Sequence, residues 1–189
     1  MREFIYFSAK ARTSGNFTDL MKAGRMDIVC NVIIQALFLS NKLREDVRLH
    51  LIFNGMPNPP MHLEFDSSKI DKEMISKKDV AGLIKRMLYK CPSTGKNEVF
   101  PGGYIEKKSF SALLKELETE GKKILVLDKK GAGIRKVDNL NNCVFVVGDQ
   151  EGLPLKEVKK YDKISVGNEV YFASQIFVII NNEIDLRVL

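Results

Sequence analysis

An arginine and an aspartate stand two residues apart at the start of the first predicted helix, in the segment Gly24-Arg-Met-Asp27. A guanidinium can hold a polar substrate, and a carboxylate within reach of that substrate can accept a proton from it. A carboxylate near a helix N-terminus is also stabilised by the helix dipole, so Asp27 could instead cap the helix. The residue types leave both interpretations open: a helix cap, and a charge pair directed at a substrate.

Three segments in the last third of the chain follow predicted strand ends and carry small or apolar side chains. They are Leu127, the loop Gly148-Asp-Gln-Glu-Gly-Leu153, and the loop Ile164-Ser-Val-Gly-Asn168. In open α/β sheets, ligands bind at the carboxyl ends of strands, and glycines let a ligand approach the main chain closely. Recognition would then fall to backbone groups around a flat apolar slot, which suits an adenine ring, while Asp149 and Glu151 would favour a cation nearby. The alternative is that these segments are ordinary turns.

Motifs of several common cofactor sites are absent from the sequence. Gly131-Ala-Gly133 follows a predicted strand, but a dinucleotide fingerprint would need a third glycine near Lys136, and no phosphate-binding Gly-x-x-x-x-Gly-Lys-Ser/Thr loop occurs. The two histidines, His50 and His62, stand alone in the sequence, and there is no Cys-x-x-Cys pair. This pattern argues against a zinc site and against a Ser–His–Asp triad, so we expect no bound metal.

The composition is that of a globular protein, with 189 residues of which 44% are hydrophobic and 29% charged. A chain of this length can bury about 70% of its unfolded surface, so we expect one domain over residues 1–189. The cysteines, Cys30, Cys91 and Cys143, are odd in number and widely spaced, which suits a reducing compartment. There is no signal-peptide pattern and no apolar run long enough to span a membrane, so we expect a cytoplasmic protein without membrane contact.

The chain is moderately basic, with a net charge of +6 and a pI near 9.1. A basic surface favours a polyanionic partner such as nucleic acid. Acidic residues are also numerous, however, at 24 against 30 basic residues. The alternative is therefore a lysine-rich surface that only keeps the protein soluble.

Predicted strands and helices alternate along the chain. Apolar runs predict strands at residues 2–8, 46–53, 61–65, 124–127 and 144–147. Helical spacing predicts helices at 26–39, 77–90, 109–120, 155–161 and 171–183, with Ser109 as the N-cap of the third helix and Gly121 at its end. Prolines and glycines predict loops at 54–60 and 91–103. This order predicts an α/β fold with a mostly parallel sheet and helices on both faces.

Taken in order, these segments resemble a known protein family. Gly148-Asp-Gln-Glu-Gly152 after a strand, then Ile164-Ser-Val-Gly-Asn168 and an apolar C-terminal helix, look like the cofactor-binding half of the SPOUT methyltransferases. The resemblance narrows to the TrmY family, the archaeal tRNA pseudouridine N1-methyltransferases, through Gly24-Arg-Met-Asp-Ile-Val29, Gly55-Met-Pro-Asn-Pro-Pro60 and Pro101-Gly-Gly-Tyr-Ile105. It covers nearly the whole chain and depends on the order and spacing of the motifs.

The resemblance implies a fold, a cofactor and a substrate. It implies a SPOUT-type sheet with a C-terminal trefoil knot over approximately residues 122–189, S-adenosylmethionine as cofactor, and a homodimer with active sites at the interface. The implied substrate is the pseudouridine of the tRNA T-loop, which Arg25 and Asp27 would face. Residues that would line the cofactor by position are Leu127, Gly148, Asp149, Gly152, Leu153, Ile164, Ser165, Val166, Gly167 and Asn168.

The chain departs from the family pattern in two places near the methionine end of the cofactor. Several relatives carry proline in the loop that matches Gly167-Asn168. Some carry a cysteine after the last helix, where this chain has only Asp185-Leu-Arg-Val-Leu189. The contacts to the methionine moiety therefore do not follow from the resemblance.

Hypotheses about mechanism and partners follow from the resemblance. Asp27 would accept the proton that N1 of pseudouridine loses, while Arg25 holds the base or its phosphate. The last helix would face a second subunit through Phe172, Ile176, Phe177 and Ile180, unless these residues pack in the core. Phosphates of tRNA would be held by Arg2, Lys10, Arg12 and Lys107. The alternatives are a knotted methyltransferase acting on rRNA pseudouridine and a non-catalytic RNA-binding protein.

Overall fold

The computed structural model describes residues 1–71, 76 and 78–188. The strands of the described part are β1 (Arg2–Ser8), β2 (Val47–Phe53), β3 (Met61–Asp66), β4 (Lys96–Phe100), β5 (Gly103–Glu106), β6 (Lys123–Gly133), β7 (Cys143–Gly148) and β8 (Asp162–Ser165). The α-helices are α1 (Met26–Leu37), α2 (Val80–Tyr89), α3 (Phe110–Thr119), α4 (Leu155–Val158) and α5 (Ala173–Val188), and a short 3-10 helix covers Ile134–Lys136. The first residue of the predicted helix at 77–90, Lys77, lies outside the described residues.

The strands form one sheet in the order β4-β5-β3-β2-β1-β7-β6-β8. The pairs from β2 through β1, β7 and β6 to β8 are parallel, whereas β3, β5 and β4 join at one side in antiparallel pairs. The predicted α/β fold with a mostly parallel sheet is therefore confirmed. All five predicted strands and all five predicted helices are present. At most of their ends, the observed and predicted bounds differ by a few residues.

The prediction of a loop at 91–103 is wrong, because β4 and the start of β5 lie there. In β4, exposed residues alternate with partly buried ones, and the strand lies at the edge of the sheet. Gly102, with a φ of 80°, forms the turn to β5, and its N–H donates a hydrogen bond to Glu98 Oε1 at 3.1 Å. An edge strand needs an apolar pattern on one face only, so the prolines and glycines around it outweighed that weak pattern.

Side chains of β1 point alternately to the two faces of the sheet, and each face has its own core. Phe4 and Tyr6 belong to the larger core, which α1, α2 and α5 cover. Ile5 and Phe7 belong to the smaller core, which α3 and α4 cover. Helices therefore lie on both faces, as predicted.

The end of α5 is fixed to the rest of the fold by charged side chains. Asp185 accepts salt bridges from Arg2 at 2.6 Å and from Arg44 at 2.7 Å. Arg187 donates hydrogen bonds to the carbonyl oxygens of Val137 at 2.6 Å and Ile134 at 3.0 Å. Among the described residues, no helix is both long and apolar enough to cross a membrane.

Candidate active site

A cavity of about 280 Å³ opens at the carboxyl ends of β6, β7 and β8. Its walls are mostly aliphatic, which is the lining that a flat apolar ring requires. The lining residues are Val126, Leu127, Asp128, Lys129, Val147, Gly148, Asp149, Gly152, Leu153, Leu155, Val158, Lys163, Ile164, Ser165, Val166, Gly167, Glu169, Val170, Tyr171 and Ile176. The structure thus brings the three predicted strand-end segments together at one site.

The loop after β7 is a tight turn that requires glycine at two positions. Gly152 has a φ of 84°, which a residue with a side chain rarely adopts. A Cβ on Gly148 would lie 2.9 Å from the carbonyl carbon of Gly152 and 3.0 Å from Leu153 Cγ. The turn therefore brings its main chain to the cavity without a side chain in between.

The carboxylate of Asp149 joins this loop to the end of β1. Its Oδ2 accepts hydrogen bonds from Ser8 Oγ at 2.9 Å and from the Ala9 N–H at 2.8 Å. Its Oδ1 accepts one from the Glu151 N–H at 2.9 Å, and Glu151 itself pairs with Lys10 at 2.7 Å. Both acidic side chains of the loop thus have protein partners, so the predicted negative potential near a cation is partly neutralised.

The loop after β8 is held by the hydroxyl of Ser165. Ser165 Oγ donates to the Gly167 carbonyl at 2.7 Å and accepts from the Gly167 N–H at 3.2 Å. A Cβ on Gly167 would lie 3.2 Å from the Tyr171 ring, so the ring closes directly over this glycine. Asn168 is exposed and does not line the cavity, unlike the other nine predicted cofactor residues.

The chain of β6 passes β8 at unusually close range. Ile164 pairs with Leu127 and again with Ala132, so the β6 segment between these two residues leaves β8 and returns to it. A Cβ on Gly131 would lie 2.5 Å from the Ile164 nitrogen, a contact that only glycine avoids. This crossing forms the cavity wall beside Leu127.

Arg25 and Asp27 form the charge pair that their spacing suggested. Arg25 Nε donates to Asp27 Oδ1 at 3.0 Å and Nη2 to Asp27 Oδ2 at 2.9 Å, a two-pronged contact. Arg25 is the N-cap of α1 in the left-handed region, with φ 64° and ψ 43°. Arg25 therefore occupies the N-cap position of α1, and Asp27 lies in the first turn of the helix.

Gln150 connects this charge pair to the loop after β7, since its Oε1 accepts a hydrogen bond from Arg25 Nη1 at 3.3 Å. Sequence reasoning missed Gln150, although it lies inside the predicted loop. The hydrogen bonds from Arg25 hold the pKa of Asp27 below its usual range, so the carboxylate is ionised at neutral pH. Burial raises the pKa of Tyr6, whose phenol lies close enough to Asp149 and Asp27 to feel their charges.

Other cavity residues were also missed, among them Asp128, Lys163 and Tyr171. Asp128 follows the predicted strand end at Leu127 directly, so the position alone could have indicated it. Lys163 pairs with Asp128 at 2.6 Å, and this hydrogen bond lowers the pKa of the Asp128 carboxyl. Such a pair between residues 35 apart has no signal in the sequence.

Two predictions about individual residues are wrong. The histidines do not stand alone: His50 Nδ1 and His62 Nε2 are 2.9 Å apart, because β2 and β3 are antiparallel neighbours. Arg2, which was predicted to hold a phosphate of tRNA, is paired with two carboxylates of the protein. It lies at the amino end of β1, and its guanidinium is held by Asp46 at 2.8 Å and Asp185 at 2.6 Å.

Comparison with known proteins identifies the class to which this fold and site belong. The model of a family of SAM-dependent RNA methyltransferases matches residues 1–188. Archaeoglobus fulgidus Nep1, solved with bound S-adenosylhomocysteine, superposes with a TM-score of 0.64 over 100% of this chain and 99% of its own, at 13% identity. At that identity the likeness shows the fold alone.

Curated relatives are similar over almost their full length. The tRNA (pseudouridine(54)-N(1))-methyltransferase of Methanococcoides burtonii is 36% identical, covering 98% of this chain and 96% of the relative. The enzyme of the same name from Methanocella arvoryzae is 34% identical, covering 99% and 100%. The chain is therefore a SAM-dependent RNA methyltransferase and belongs to the family of these archaeal pseudouridine N1-methyltransferases.

The cavity fits the adenosine part of S-adenosylmethionine. Its walls are mostly aliphatic, and Gly148 and Gly152 line it without a side chain between the cavity and the main chain. Backbone groups of the loops after β7 and β8 would hold the adenine, with Leu127, Leu153 and Ile164 against its faces. When bound, this cofactor supplies an electrophilic methyl group on a positively charged sulfur.

Proposed function

We propose that this chain methylates N1 of the T-loop pseudouridine of tRNA, at the position that the relatives' names give as 54. The observation that carries the proposal is the Arg25–Asp27 pair, which a hydrogen bond from Arg25 joins to Gln150. Gln150 lies in the loop whose neighbouring residues line the cofactor cavity. A base held by the pair would therefore lie beside the methyl donor.

The two charged residues have different tasks in this proposal. Pseudouridine is joined to its ribose through carbon, so its N1 keeps a hydrogen that N1 of uridine lacks. Asp27 accepts a hydrogen bond from N1–H, and the proton passes to its carboxylate or to water as N1 bonds to the methyl carbon. S-adenosylmethionine, when held by the loops after β7 and β8, would supply the methyl group and keep the electron pair of the former carbon–sulfur bond. Arg25 fixes the orientation of Asp27 and offers its remaining N–H groups to the base or its phosphate.

The lowered pKa of Asp27 limits how much this carboxylate can accelerate the reaction as a general base. A carboxylate with a low pKa is a weak base, so most of the rate enhancement would come from alignment. Alignment of N1, methyl and sulfur can contribute roughly 7–11 kcal/mol, and general-base assistance about 10²- to 10⁴-fold. Asp27 is thus first an orienting group and second a proton acceptor.

The proposal includes the trefoil knot over residues 122–189 of a single domain. It is supported by the two pairings of Ile164 with β6 and by the close passage of Gly131 over the Ile164 backbone. Such contact is what a chain threaded past another segment requires. The knot would hold the loops after β7 and β8 in place around the cofactor.

A homodimer is also part of the proposal. Phe172 is 76% exposed, Val178 45% and Leu186 58%, so α5 and the residue before its first turn leave apolar surface for a partner. For Phe177 and Ile180 the alternative of core packing holds, because both are fully buried, and Phe177 packs on Phe4 with ring centroids 5.1 Å apart. The dimer surface would therefore be made by the exposed residues Phe172, Val178 and Leu186.

The tRNA would lie over the edge of the sheet at which the parallel strands end. The reaction would take place in the cytoplasm. Lys10 and Arg12 follow β1 at this edge, and Lys107 contacts the Asn58 carbonyl of the proline-rich loop. Contacts of such residues with phosphates would make the affinity for tRNA fall steeply with salt.

Methyl transfer to matched RNAs tests the proposed function. We expect a tRNA transcript with pseudouridine in the T-loop to accept one methyl group, and the same transcript with uridine there to accept none. A small-subunit rRNA fragment with pseudouridine serves as the second substrate. Faster methylation of that fragment would favour the rRNA enzyme, and absence of S-adenosylmethionine binding by calorimetry would favour the non-catalytic RNA-binding protein.

A further inference from the structure

The face of the sheet that α3 covers becomes polar over β2, β3 and β5. Two buried histidines lie there, His50 on β2 and His62 on β3, with relative exposures of 3% and 1%. A cavity of about 310 Å³ opens beside them, lined among others by His50, Glu3 and Glu64. Among the described residues, none lines both this cavity and the one assigned to the cofactor.

The histidines form the middle of a chain of four side chains. His50 Nε2 lies 3.2 Å from Glu3 Oε1, His50 Nδ1 lies 2.9 Å from His62 Nε2, and His62 Nδ1 lies 2.9 Å from Glu106 Oε1. Lysines pair with both outer carboxylates, Lys122 with Glu3 at 2.7 Å and Lys108 with Glu106 at 2.8 Å. These lysines favour the ionised form of both carboxylates.

These four side chains make three contacts at hydrogen-bond distance, which is one more than their N–H groups can supply. Each neutral imidazole carries one N–H, and an ionised carboxylate carries none, so two hydrogens serve three contacts. If each ring donates outward to its carboxylate, the two inner nitrogens face each other with lone pairs 2.9 Å apart. Two lone pairs at that distance repel each other unless a proton or a metal ion lies between them.

We propose that His50 Nδ1, His62 Nε2 and Glu64 Oε2 bind a divalent transition-metal ion, with Zn²⁺ as the ion that suits this donor set. Each of the three residues offers a donor atom that lies within 4.8 Å of the other two, and Glu64 Oε2 is 3.6 Å from His50 Nδ1. Two nitrogens on a tetrahedral zinc ion are about 3.3 Å apart, so the rings need to separate by only a few tenths of an ångström. Two histidines and a glutamate leave the fourth position for water from the cavity.

The surroundings match those of protein metal sites. A metal-bound histidine usually donates its other N–H to a carboxylate, which fixes its tautomer and orientation. Glu3 has this relation to His50, and Glu106 to His62. The ion would connect β2 and β3 directly, and β1 and β5 through the outer carboxylates, so it would stabilise this half of the sheet.

Lys96 opposes the ion and supplies a sharp test. Its Nζ lies 2.7 Å from Glu64 Oε2, the oxygen that the ion needs, so the ion must displace a partly exposed lysine. Lys96→Met should therefore tighten zinc binding. Lys69→Met is the matched control, because Lys69 lines the same cavity but pairs with Asp66 at 3.5 Å rather than with Glu64.

The experiment is calorimetric titration of the chelator-treated full chain with Zn²⁺, together with the visible spectrum of added Co²⁺. We expect one equivalent bound, a tetrahedral Co²⁺ spectrum and a higher Tm. His62→Gln should abolish these signals, and Glu3→Gln should weaken binding about 10- to 100-fold. Circular dichroism of each variant checks that it folds.

Two results would overturn the proposal. The first is no saturable binding of Zn²⁺ or Co²⁺ by the folded wild-type chain, which needs no variant. The second is one equivalent that remains bound in both His50→Gln and His62→Gln, since that would place the ion at other groups such as Cys91. Neither result touches the proposed methyl transfer, because the two cavities are separate.

Discussion

At the scale of single residues, Arg25 combines a strained backbone with the side chain that we propose orients Asp27. Its φ of 64° is one of two positive values among the non-glycine residues of the described chain, the other being that of Asn142. The left-handed conformation costs an L-residue about 1–2 kcal/mol. Strain of this kind persists where the side chain has a task that glycine could not perform.

Replacing Arg25 by glycine should separate stability from activity. Relief of backbone strain offsets the entropy that glycine gains in the unfolded chain, about 0.5–1 kcal/mol. We therefore expect the free energy of unfolding to change by less than about 1 kcal/mol. The methyl-transfer rate should fall by roughly 10²-fold, because Asp27 loses the group that orients it.

Denaturant unfolding and single-turnover methyl transfer measure the two quantities. Asn142→Gly makes the same backbone change at a site away from the cavity. It loses a hydrogen bond to the Gly121 carbonyl at 2.9 Å and should keep full activity. Full activity of Arg25→Gly would show that its guanidinium has no part in the reaction.

Residue identities could be predicted where the chemistry is local. Arg25 and Asp27 are two apart, so their pairing is visible in the sequence, and nine of the ten predicted cofactor residues line one cavity. The contacts of His50 with His62 and of Arg25 with Gln150 could not be predicted. Each depends on strand register or loop position between residues at least 12 apart.

At the scale of elements, the crossing of β6 over β8 depends on one glycine. Gly131→Ala would place a Cβ 2.5 Å from the Ile164 nitrogen, so the two segments would have to separate. We expect a loss of about 1–3 kcal/mol in unfolding free energy, as for other overpacked sites. Weaker S-adenosylmethionine binding should accompany it, because Leu127 and Ile164 both line the cavity.

Gly133→Ala is the control for this prediction. Gly133 lies two residues further along β6, and a Cβ there would meet nothing within 4 Å. Its φ of −59° is accessible to alanine, so stability should change by no more than about 0.5 kcal/mol. Thermal unfolding with and without the cofactor compares the two variants. Equal behaviour would mean that β6 and β8 have room to move apart.

Elements with a regular spacing of apolar residues could be predicted, whereas elements without such a spacing could not. The spacing of apolar residues in α1 and the cap at Ser109, whose Oγ accepts from the Ala112 N–H at 3.2 Å, are confirmed. The edge strand β4 was missed because it has little apolar surface to bury. The second pairing of β6 with Ile164 has no local pattern, since it follows from where the chain passes β8.

At the scale of the whole molecule, the apolar surface on α5 predicts association. Val178 is 45% exposed, so an arginine there would place a charge on the proposed interface without disturbing the core. We expect Val178→Arg to sediment as a monomer at micromolar concentration, where the wild type is a dimer. Met21→Arg, at a site 63% exposed and outside α5, should leave the dimer intact. A wild-type monomer would remove the dimer from the proposal.

The sequence indicates the class of the molecule more readily than its assembly. An alternating order of strands and helices is enough to predict the parallel sheet. Phe172, Ile176, Phe177 and Ile180 are similar in sequence, yet Phe172 is exposed and Phe177 and Ile180 are buried. Which apolar face of α5 packs inward is decided by α1 and β1, so the pattern of the helix alone could not separate core from interface.

The reaction at Asp27 is tested most directly by single-turnover methylation of pseudouridine-containing tRNA, followed by digestion and quantification of N1-methylpseudouridine. We predict that the wild type forms this nucleoside at the T-loop position and that Asp27→Asn forms it at least about 10²-fold more slowly, with unchanged affinity for tRNA. An unchanged rate in Asp27→Asn, or a methyl group on any other nucleoside, would contradict the assignment of this site and its reaction.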